Sequence, residues 1–308
     1  MEIALQFVLL ALGFVMLGKG ADWFVEGAAG IAMRFGIPQL VIGLTIVAMG
    51  TSAPEAAVSI AAAVKGNADI TIGNIVGSNI LNILVILGLA ASIVPIAVAR
   101  STVRIEIPFM IGVTALLFYQ GRDGSISLAD GGVLMVAFAA YMMYLYTMAM
   151  KSNVDSDLEE PGLPLGRCLL GAVGGLALII AGSNVTVGAA TSIATYAGLS
   201  ERFIGLTIVA LGTSLPELFT SVAAARRGNA DIAIGNIVGS NIFNILFVVG
   251  LSSLIIDIPF ASAFNFDTYV ALGAAVLLWL CVLRTQRLQR WAGALMLVCY
   301  AAYLLYIL

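Results

Sequence analysis

The stretch "GLTIVAMGTSAPEAAVSIAAAVKGNADITIGNIVGSNILN", residues 43–82, decides the fold because the chain contains it twice. Residues 205–244 read "GLTIVALGTSLPELFTSVAAARRGNADIAIGNIVGSNIFN", so 30 of 40 positions are identical at a constant offset of 162. The identical positions include Thr, Ser, Pro, Glu, Asn and Asp, which a shared apolar composition would not produce. The chain therefore consists of two related halves.

The composition around these motifs is that of a membrane protein. Of the 308 residues, 61% are hydrophobic and 10% are charged, and the mean hydropathy is +1.07, whereas soluble domains carry about 25% charged residues. Apolar runs of about 18 residues or more recur, and the alternating segments of a transmembrane barrel are absent. We predict an all-α polytopic membrane protein that contacts the lipid bilayer. No basic cluster suggests a nucleic-acid partner.

Turns and charges divide the apolar sequence into ten predicted transmembrane helices. They fall at 3–33, 38–64, 70–95, 103–119, 126–150, 166–196, 201–225, 232–256, 267–284 and 288–307. Residues 1–150 would form the first five-helix repeat, residues 151–164 a short linker, and residues 165–308 the second repeat. Because five is odd, the second repeat starts on the opposite side of the membrane. Such inverted repeats are typical of secondary transporters, whose binding sites lie near the midplane.

The basic residues predict the orientation. If both termini are outside, ten of the 14 basic residues are cytoplasmic and three are on the outer side, as the positive-inside rule favours, while Lys19 lies within the first predicted helix. The ten are Arg34, Arg100, Arg104, Lys151, Arg167, Arg226, Arg227, Arg284, Arg287 and Arg290. The outer residues are Lys65, Arg122 and Arg202. The linker is then cytoplasmic. Because targeting features are absent, we expect a prokaryotic cytoplasmic (inner) membrane.

A proline and a glutamate interrupt the second predicted helix at "GTSAPE", residues 50–55. Pro54 lacks an N–H group and its ring collides with the carbonyl four residues earlier, so the helix should break near residues 48–51 and free carbonyl oxygens. In hydrocarbon, such oxygens are tolerated only against protein, water or an ion, and the same holds for Glu55. The second half repeats the arrangement at residues 212–217.

Polar side chains near the two breaks predict a cation site between the halves. Thr51 and Glu55 share a helical face that Ser52 borders. The next helix carries a polar stripe at four-residue spacing: Asn74, Ser78 and Asn82. The second half repeats every one of these positions, so that hydroxyl, amide, carbonyl and two carboxylate oxygens converge. Hard oxygen ligands suit sodium or calcium, and the chain has no histidine to favour zinc or copper.

Some polar residues have other interpretations. Asn74 and Asn236 either bind the ion or tie helices together. Four residues off the stripe or at helix starts are expected outside the site: Asp69, Asn79, Asp231 and Asn241. Lys19, Asp22 and Glu26 share one face of the first helix, where we expect an internal ion pair; an accessory role in the ion passage is the alternative.

The paired motifs resemble the two α-repeats of the cation/calcium antiporter superfamily, specifically its sodium/calcium exchanger type. They are "GTSAPE…GNIVGSNILN" and "GTSLPE…GNIVGSNIFN", together with "GADWFVEG" in the first helix, and the resemblance covers essentially the whole chain. It implies that the second, third, seventh and eighth helices enclose the cations, while the first and sixth slide across them. The implied metal ligands are Ala48, Thr51, Ser52, Glu55, Ser78, Asn82, Ala210, Thr213, Ser214, Glu217, Ser240 and Asn244. Ala48 and Ala210 would bind through backbone carbonyls.

The resemblance implies a secondary-active antiporter that exchanges sodium for calcium by alternating access and exports calcium. We expect no cofactor, the transported Ca²⁺ and Na⁺ as partners, with H⁺ as a further candidate, and function as a monomer. The alternative is a calcium/proton or sodium/proton antiporter that uses the same two glutamates, although the histidine typical of the proton-driven branch is missing. Some members carry an acid where this chain has Asn82 or Asn244, so the stoichiometry and the driving ion stay open.

Two other classes of protein fit the sequence less well. An intramembrane enzyme would need a nucleophile–base pair or metal ligands, and Ser52 has Glu55 nearby but no histidine or lysine in the motif. A channel would need a continuous pore. We therefore expect a transporter rather than an enzyme.

Overall fold

The computed structural model describes residues 2–66, 68–152, 164–198 and 210–307. In these ranges the α-helices are α1 Glu2–Arg34, α2 Gln39–Ile42, α3 Ala48–Thr51, α4 Ala53–Val64, α5 Asp69–Leu81, α6 Gly88–Ile93, α7 Ile107–Gln120, α8 Leu128–Ser152, α9 Leu165–Tyr196, α10 Ala210–Thr213, α11 Leu215–Arg226, α12 Ala230–Phe243, α13 Gly250–Ile255, α14 Ala263–Leu283 and α15 Arg290–Ile307. Wider π-helical turns join or precede several of them: Gly43–Val47, Asn82–Leu87, Thr102–Glu106 and Asn244–Val249. A 3₁₀ turn, Gly121–Asp123, follows α7. The short strands are β1 Ile96–Ala97, β2 Ser125–Ile126, β3 Ile258–Pro259 and β4 Arg287–Leu288.

Eight helical segments of the described chain are long and apolar enough to cross a membrane. A ninth candidate is the helix pair Gln39–Thr51 and Ala53–Val64, which meets the same criteria as a pair and is bent by 52°. The predicted helix at 201–225 begins outside the described ranges, which contain its continuation in α10 and α11. The all-α polytopic fold is confirmed. Most of the predicted linker 151–164, namely residues 153–163, also lies outside the described ranges, so the domain boundaries stay a prediction.

Two antiparallel strand pairs demonstrate that the halves are inverted. β1 pairs with β4, and β2 pairs with β3. β1 and β3 are equivalent positions at the offset of 162, and so are β2 and β4. The span that contains α7 separates β1 from β2, so these two strands lie at opposite membrane faces. Because β3 pairs with β2, β3 lies at the membrane face opposite to that of its own equivalent, β1.

The two longest helices, α1 and α9, pack against each other along their length. They contain 33 and 32 residues, more than the ~20 that one crossing requires. Glycines allow the close approach: a Cβ atom on Gly27 would lie 2.4 Å from the backbone nitrogen of Ala172, and one on Gly175 would lie 2.5 Å from that of Phe24. Small residues commonly bring helix backbones together in this way in membranes.

The helices that carry the repeated motifs form the interior. In α12, every residue from Ile232 to Phe243 is buried. α12 packs closely on the π-helical segment Gly43–Val47, because a Cβ atom on Gly239 would lie 2.8 Å from the Cα atom of Leu44. The motif residues are thereby kept away from the lipid-facing surface.

The break in the second predicted helix lies at Ser52, one residue beyond the predicted stretch 48–51, which is helical as α3. Ser52 has φ −80° and ψ 5°, and α4 begins after it. Pro54 occupies the first turn of α4, where a missing N–H removes no intrahelical hydrogen bond, so the chain bends before the proline. Ser214 repeats this geometry with φ −93° and ψ 5° before Pro216.

Candidate functional site

The two helix breaks bring the two glutamates together inside the protein. Ser52 donates a hydrogen bond to Oε1 of Glu217 at 2.8 Å, and Ser214 donates one to Oε1 of Glu55 at 3.2 Å. The two contacts join the same pair of positions with the halves exchanged, which is the mark of a two-fold axis. Each glutamate is only 1% exposed, so bulk water does not solvate its carboxylate.

Each glutamate keeps one oxygen atom without a partner. Oε2 of Glu55 and Oε2 of Glu217 are buried and accept no hydrogen bond from the part of the chain that the structure describes. Both ion pairs found in that part are made by Arg227 and involve neither glutamate. An ionised carboxylate buried without a counter-charge costs several kcal/mol. These two oxygen atoms therefore require a cation or a proton.

Two asparagine oxygens are unpartnered in the same way. Asn82 and Asn244 are each 1% exposed, and no hydrogen bond from the described residues reaches either Oδ1 atom. Their amide nitrogens are satisfied: Asn82 donates to Oδ1 of Asn241 at 2.9 Å, and Asn244 donates to Oδ1 of Asn79 at 3.2 Å. With the glutamates, four buried acceptor atoms, two from each half, are available to a positively charged ligand.

Other predicted ligands lie at the same boundary between the halves. Thr51 donates to Oδ1 of Asn236 at 2.9 Å, and Ser240 donates to the carbonyl oxygen of Ala48 at 3.3 Å. Both hydrogen bonds cross from one half to the other. The remaining predicted ligands lie on α5 and at the two ends of α10: Ser78, Ala210 and Thr213.

Asn74 and Asn236 tie helices together. Nδ2 of Asn74 donates to the hydroxyl of Ser59 at 2.9 Å, and Nδ2 of Asn236 donates to the hydroxyl of Ser221 at 2.9 Å. Longer contacts of 3.3 and 3.4 Å reach the backbone carbonyls of the two glutamates. Of the two interpretations of these residues, the structure supports the tie, and the oxygen of Asn236 also holds the hydroxyl of Thr51.

The four-residue stripe left out Asn79 and Asn241, and the structure places both in contact with predicted ligands. They are 3% and 1% exposed and accept the hydrogen bonds from Asn244 and Asn82. The signal that could have found them is their identity in both halves, next to the serine of each "GSN". Asp69 and Asp231, also left out, lie in the first turns of α5 and α12, at helix starts as expected.

The acidic residues of α1 pair with the other half of the protein. Arg227 contacts Asp22 and Glu26, each at 3.2 Å, so the expected internal pair with Lys19 is wrong. The partner lies 205 residues from Asp22 in sequence, which a helical-face pattern does not reveal. The three paired side chains are 35–46% exposed, and exposed ion pairs contribute about 1 kcal/mol or less. They are separate from the buried site.

The chemistry of the site is that of hard oxygen donors. Within the described ranges, no group of three or more His, Cys, Asp or Glu side chains could hold a metal ion. The donors are instead two carboxylates surrounded by neutral hydroxyl, amide and carbonyl oxygens from both halves. Calcium takes six to eight such ligands in flexible geometry.

Comparisons with known proteins agree with this chemistry. The chain matches the family model described as "Sodium/calcium exchanger protein" over residues 5–147 and 168–308. It is 40% identical to the putative antiporter CaxA of Alkalimonas amylolytica over 98% of both chains. It is also 40% identical to the inner membrane protein YrbG of Escherichia coli (strain K12), over 80% of this chain and 79% of that protein.

A solved structure shares the fold. The sodium-calcium exchanger NCX_Mj, soaked with 2.5 mM Na⁺ and 10 mM Sr²⁺, superimposes with a TM-score of 0.86 at 34% sequence identity. The match covers 98% of each chain. The two segments matched by the family model leave a gap that contains the predicted linker between them.

Proposed function

Because the chain belongs to the sodium/calcium exchanger protein family, we propose that it is a secondary-active antiporter that exports calcium in exchange for sodium. The observation that carries this proposal is a set of four buried acceptor oxygens, on Glu55, Glu217, Asn82 and Asn244, that have no hydrogen-bond partner in the part of the chain that the structure describes. A cation bound between the halves would satisfy all four. The transported ions are substrates, and the proposal needs no cofactor.

Six residues from each half would bind the transported cations. They are Ala48, Thr51, Ser52, Glu55, Ser78 and Asn82, with Ala210, Thr213, Ser214, Glu217, Ser240 and Asn244. The two alanines would contribute backbone carbonyl oxygens, and the carbonyl of Ala48 already accepts a hydrogen bond from the opposite half. Since every donor is an oxygen, both sodium and calcium are suitable occupants.

The two carboxylates would couple the two ions. One Ca²⁺ or two Na⁺ neutralise a pair of ionised glutamates, whereas both loads together would place excess positive charge in a buried site. Because the ions share ligands, binding of one favours release of the other. This competition makes the site an exchanger rather than two independent carriers.

Access to the site would alternate through movement of α1 and α9. These helices cover both breaks: a Cβ atom on Gly50 would lie 3.1 Å from Leu176 of α9 and 3.4 Å from Phe24 of α1. Ser183 of α9 donates a hydrogen bond to the carbonyl of Gly212 at 2.7 Å. A shift of this helix pair across the core would uncover one side of the site and cover the other, and inverted repeats make the two openings equivalent.

The chain is an integral membrane protein, and we place it in a prokaryotic cytoplasmic (inner) membrane with both termini outside. The asymmetry of basic residues supports this orientation, and one relative is named an inner membrane protein. The linker at residues 151–164 is then cytoplasmic. Because a single chain supplies both glutamates of the site, we propose that it works as a monomer.

Calcium uptake by the purified protein in liposomes tests the proposal. Sodium-loaded liposomes diluted into sodium-free buffer should accumulate radioactive calcium, and potassium-loaded ones should not. Glu55→Gln and Glu217→Gln should each reduce uptake to background. Each substitution removes one carboxylate that pairs with the buried cation, and removing one partner of a buried pair of opposite charges costs roughly 3–5 kcal/mol. Glu106→Gln is the matched control, since Glu106 is fully buried and bonded to the hydroxyl of Tyr144 outside the repeated motif; it should retain uptake.

Each other outcome has a defined meaning. Uptake that survives either motif substitution contradicts the proposed site. Calcium uptake that follows a pH gradient and ignores sodium identifies a calcium/proton antiporter at the same glutamates, and sodium flux driven by a pH gradient identifies a sodium/proton antiporter. Calcium flux without any counter-ion identifies a channel.

A further inference from the structure

Four asparagines form a hydrogen-bonded cluster where α5 and α12 cross at the two-fold axis. Nδ2 of Asn79 donates to the backbone carbonyl of Asn241 at 3.2 Å, and Nδ2 of Asn241 donates to the backbone carbonyl of Asn79 at 3.1 Å. The side-chain oxygens of the same two residues accept from Asn244 and Asn82, respectively. All four residues are at least 97% buried, so water does not compete for these bonds.

The backbone dictates which way every amide in this cluster points. A backbone carbonyl only accepts hydrogen bonds, so Asn79 must turn its Nδ2 toward Asn241. The oxygen of Asn79 then faces Asn244, which must present its own Nδ2. Oδ1 of Asn244 is thereby turned away from the cluster, where it has no partner among the described residues. The equivalent contacts in the other half fix the orientation of the Asn82 amide, because Asn241 donates to the carbonyl of Asn79 and accepts from Asn82.

From this geometry we infer that Asn79 and Asn241 are positioning residues that hold the amide oxygens of Asn244 and Asn82 toward the transported cation. The inference rests on the proposed function, in which those two oxygens are ion ligands. An amide has a donor end and an acceptor end, and the donor end would repel a cation. A neutral asparagine therefore serves as a ligand only if its orientation is fixed, whereas a carboxylate would present oxygen in either orientation.

That difference between amide and carboxylate provides the test. Asn79→Ala removes the acceptor that fixes Asn244, so the half-saturating calcium concentration for uptake should rise by about tenfold, equivalent to the loss of roughly 1.4 kcal/mol of binding. In an Asn244→Asp background, both side-chain oxygens of residue 244 are acceptors. There, Asn79→Ala should change the half-saturating concentration by less than about twofold, so the two substitutions couple strongly in a double-mutant cycle.

Asn74→Ala is the control for the loss of a hydrogen-bonded amide, although Asn74 is only half-buried. Asn74 lies on the same helix and ties it to α4 through Ser59, and its amide hydrogen bonds among the described residues do not involve Asn244 or Asn82. Any effect of Asn74→Ala should be the same factor in both backgrounds. If Asn79→Ala fails to yield folded protein, the symmetric cycle of Asn241→Ala with Asn82→Asp applies, because it breaks the equivalent contact.

The outcomes separate this inference from the proposed function. Equal effects of Asn79→Ala in the two backgrounds would mean that Asn79 has only a structural role, which overturns the inference while calcium exchange stands. Absence of ion-coupled uptake by the unaltered protein would overturn the proposed function and the inference with it. Strong coupling in one cycle, with additive behaviour of Asn74→Ala, supports the positioning role.

Discussion

Replacement of Gly175 by alanine is expected to separate the two longest helices. A Cβ atom at this position would lie 2.5 Å from the backbone nitrogen of Phe24 and 2.7 Å from the carbonyl oxygen of Gly20. Ordinary contacts begin at 3.4 Å, so the backbone of α1 must retreat by about 1 Å. Backbone atoms cannot relieve the clash by a change of rotamer, as side-chain atoms can. Such overpacking costs roughly 1–3 kcal/mol, which lowers an apparent melting temperature by about 2–10 °C.

Gly174→Ala supplies the matched control, because a Cβ atom on Gly174 meets nothing within 4 Å among the described residues. The two variants differ by one position in the same helix. Thermal unfolding of both in detergent, followed by the loss of the monodisperse peak on size-exclusion chromatography, measures the difference. Gly174→Ala should melt within about 1 °C of the unaltered protein. Equal melting temperatures for the two variants would refute the close packing of α1 and α9.

Three further predictions concern the site and its surroundings. Thr51→Val removes the hydroxyl that donates to Asn236 and should raise the half-saturating sodium concentration by about tenfold, since a hydrogen bond to a charged group contributes about 1.5–3 kcal/mol. Thr71→Val removes an equally buried hydroxyl elsewhere and should leave the half-saturating sodium concentration unchanged. Arg227→Ala breaks the two ion pairs of exposed side chains found in the described residues and should leave transport within about twofold and stability within about 1 kcal/mol. A large loss of transport would show that these pairs contribute to the movement of α1. Calcium at about 100 times its dissociation constant should stabilise the unaltered protein by roughly 2.7 kcal/mol, and equal protection of the variant that carries both Glu55→Gln and Glu217→Gln would place the ion elsewhere.

The inverted architecture and the glutamate pair could be predicted from the sequence, because polar residues repeated within apolar spans have few explanations other than a shared site. Glu55 and Glu217 occur at equivalent positions beside a proline, and the structure indeed brings both to the boundary between the halves.

Contacts between the halves were harder to predict. The offset of 162 relates Asn79 to Asn241 but gives no indication that the two meet across the axis, because helix crossing is a property of the assembled core. The stripe at four-residue spacing included Asn82 and excluded Asn79, because such a pattern describes one helix and not its crossing with another. The pairing of Asp22 with Arg227 likewise depends on how α1 lies against α11, which no local pattern encodes.

A crystal structure of the protein with bound calcium, located by its anomalous scattering, would show directly whether the two glutamates bind the ion. We predict a calcium peak between the halves, bonded to Oε2 of Glu55 and to Oε2 of Glu217 at about 2.3–2.6 Å. A peak bound elsewhere, or both carboxylates held by a basic side chain in protein that still transports calcium, would contradict this prediction.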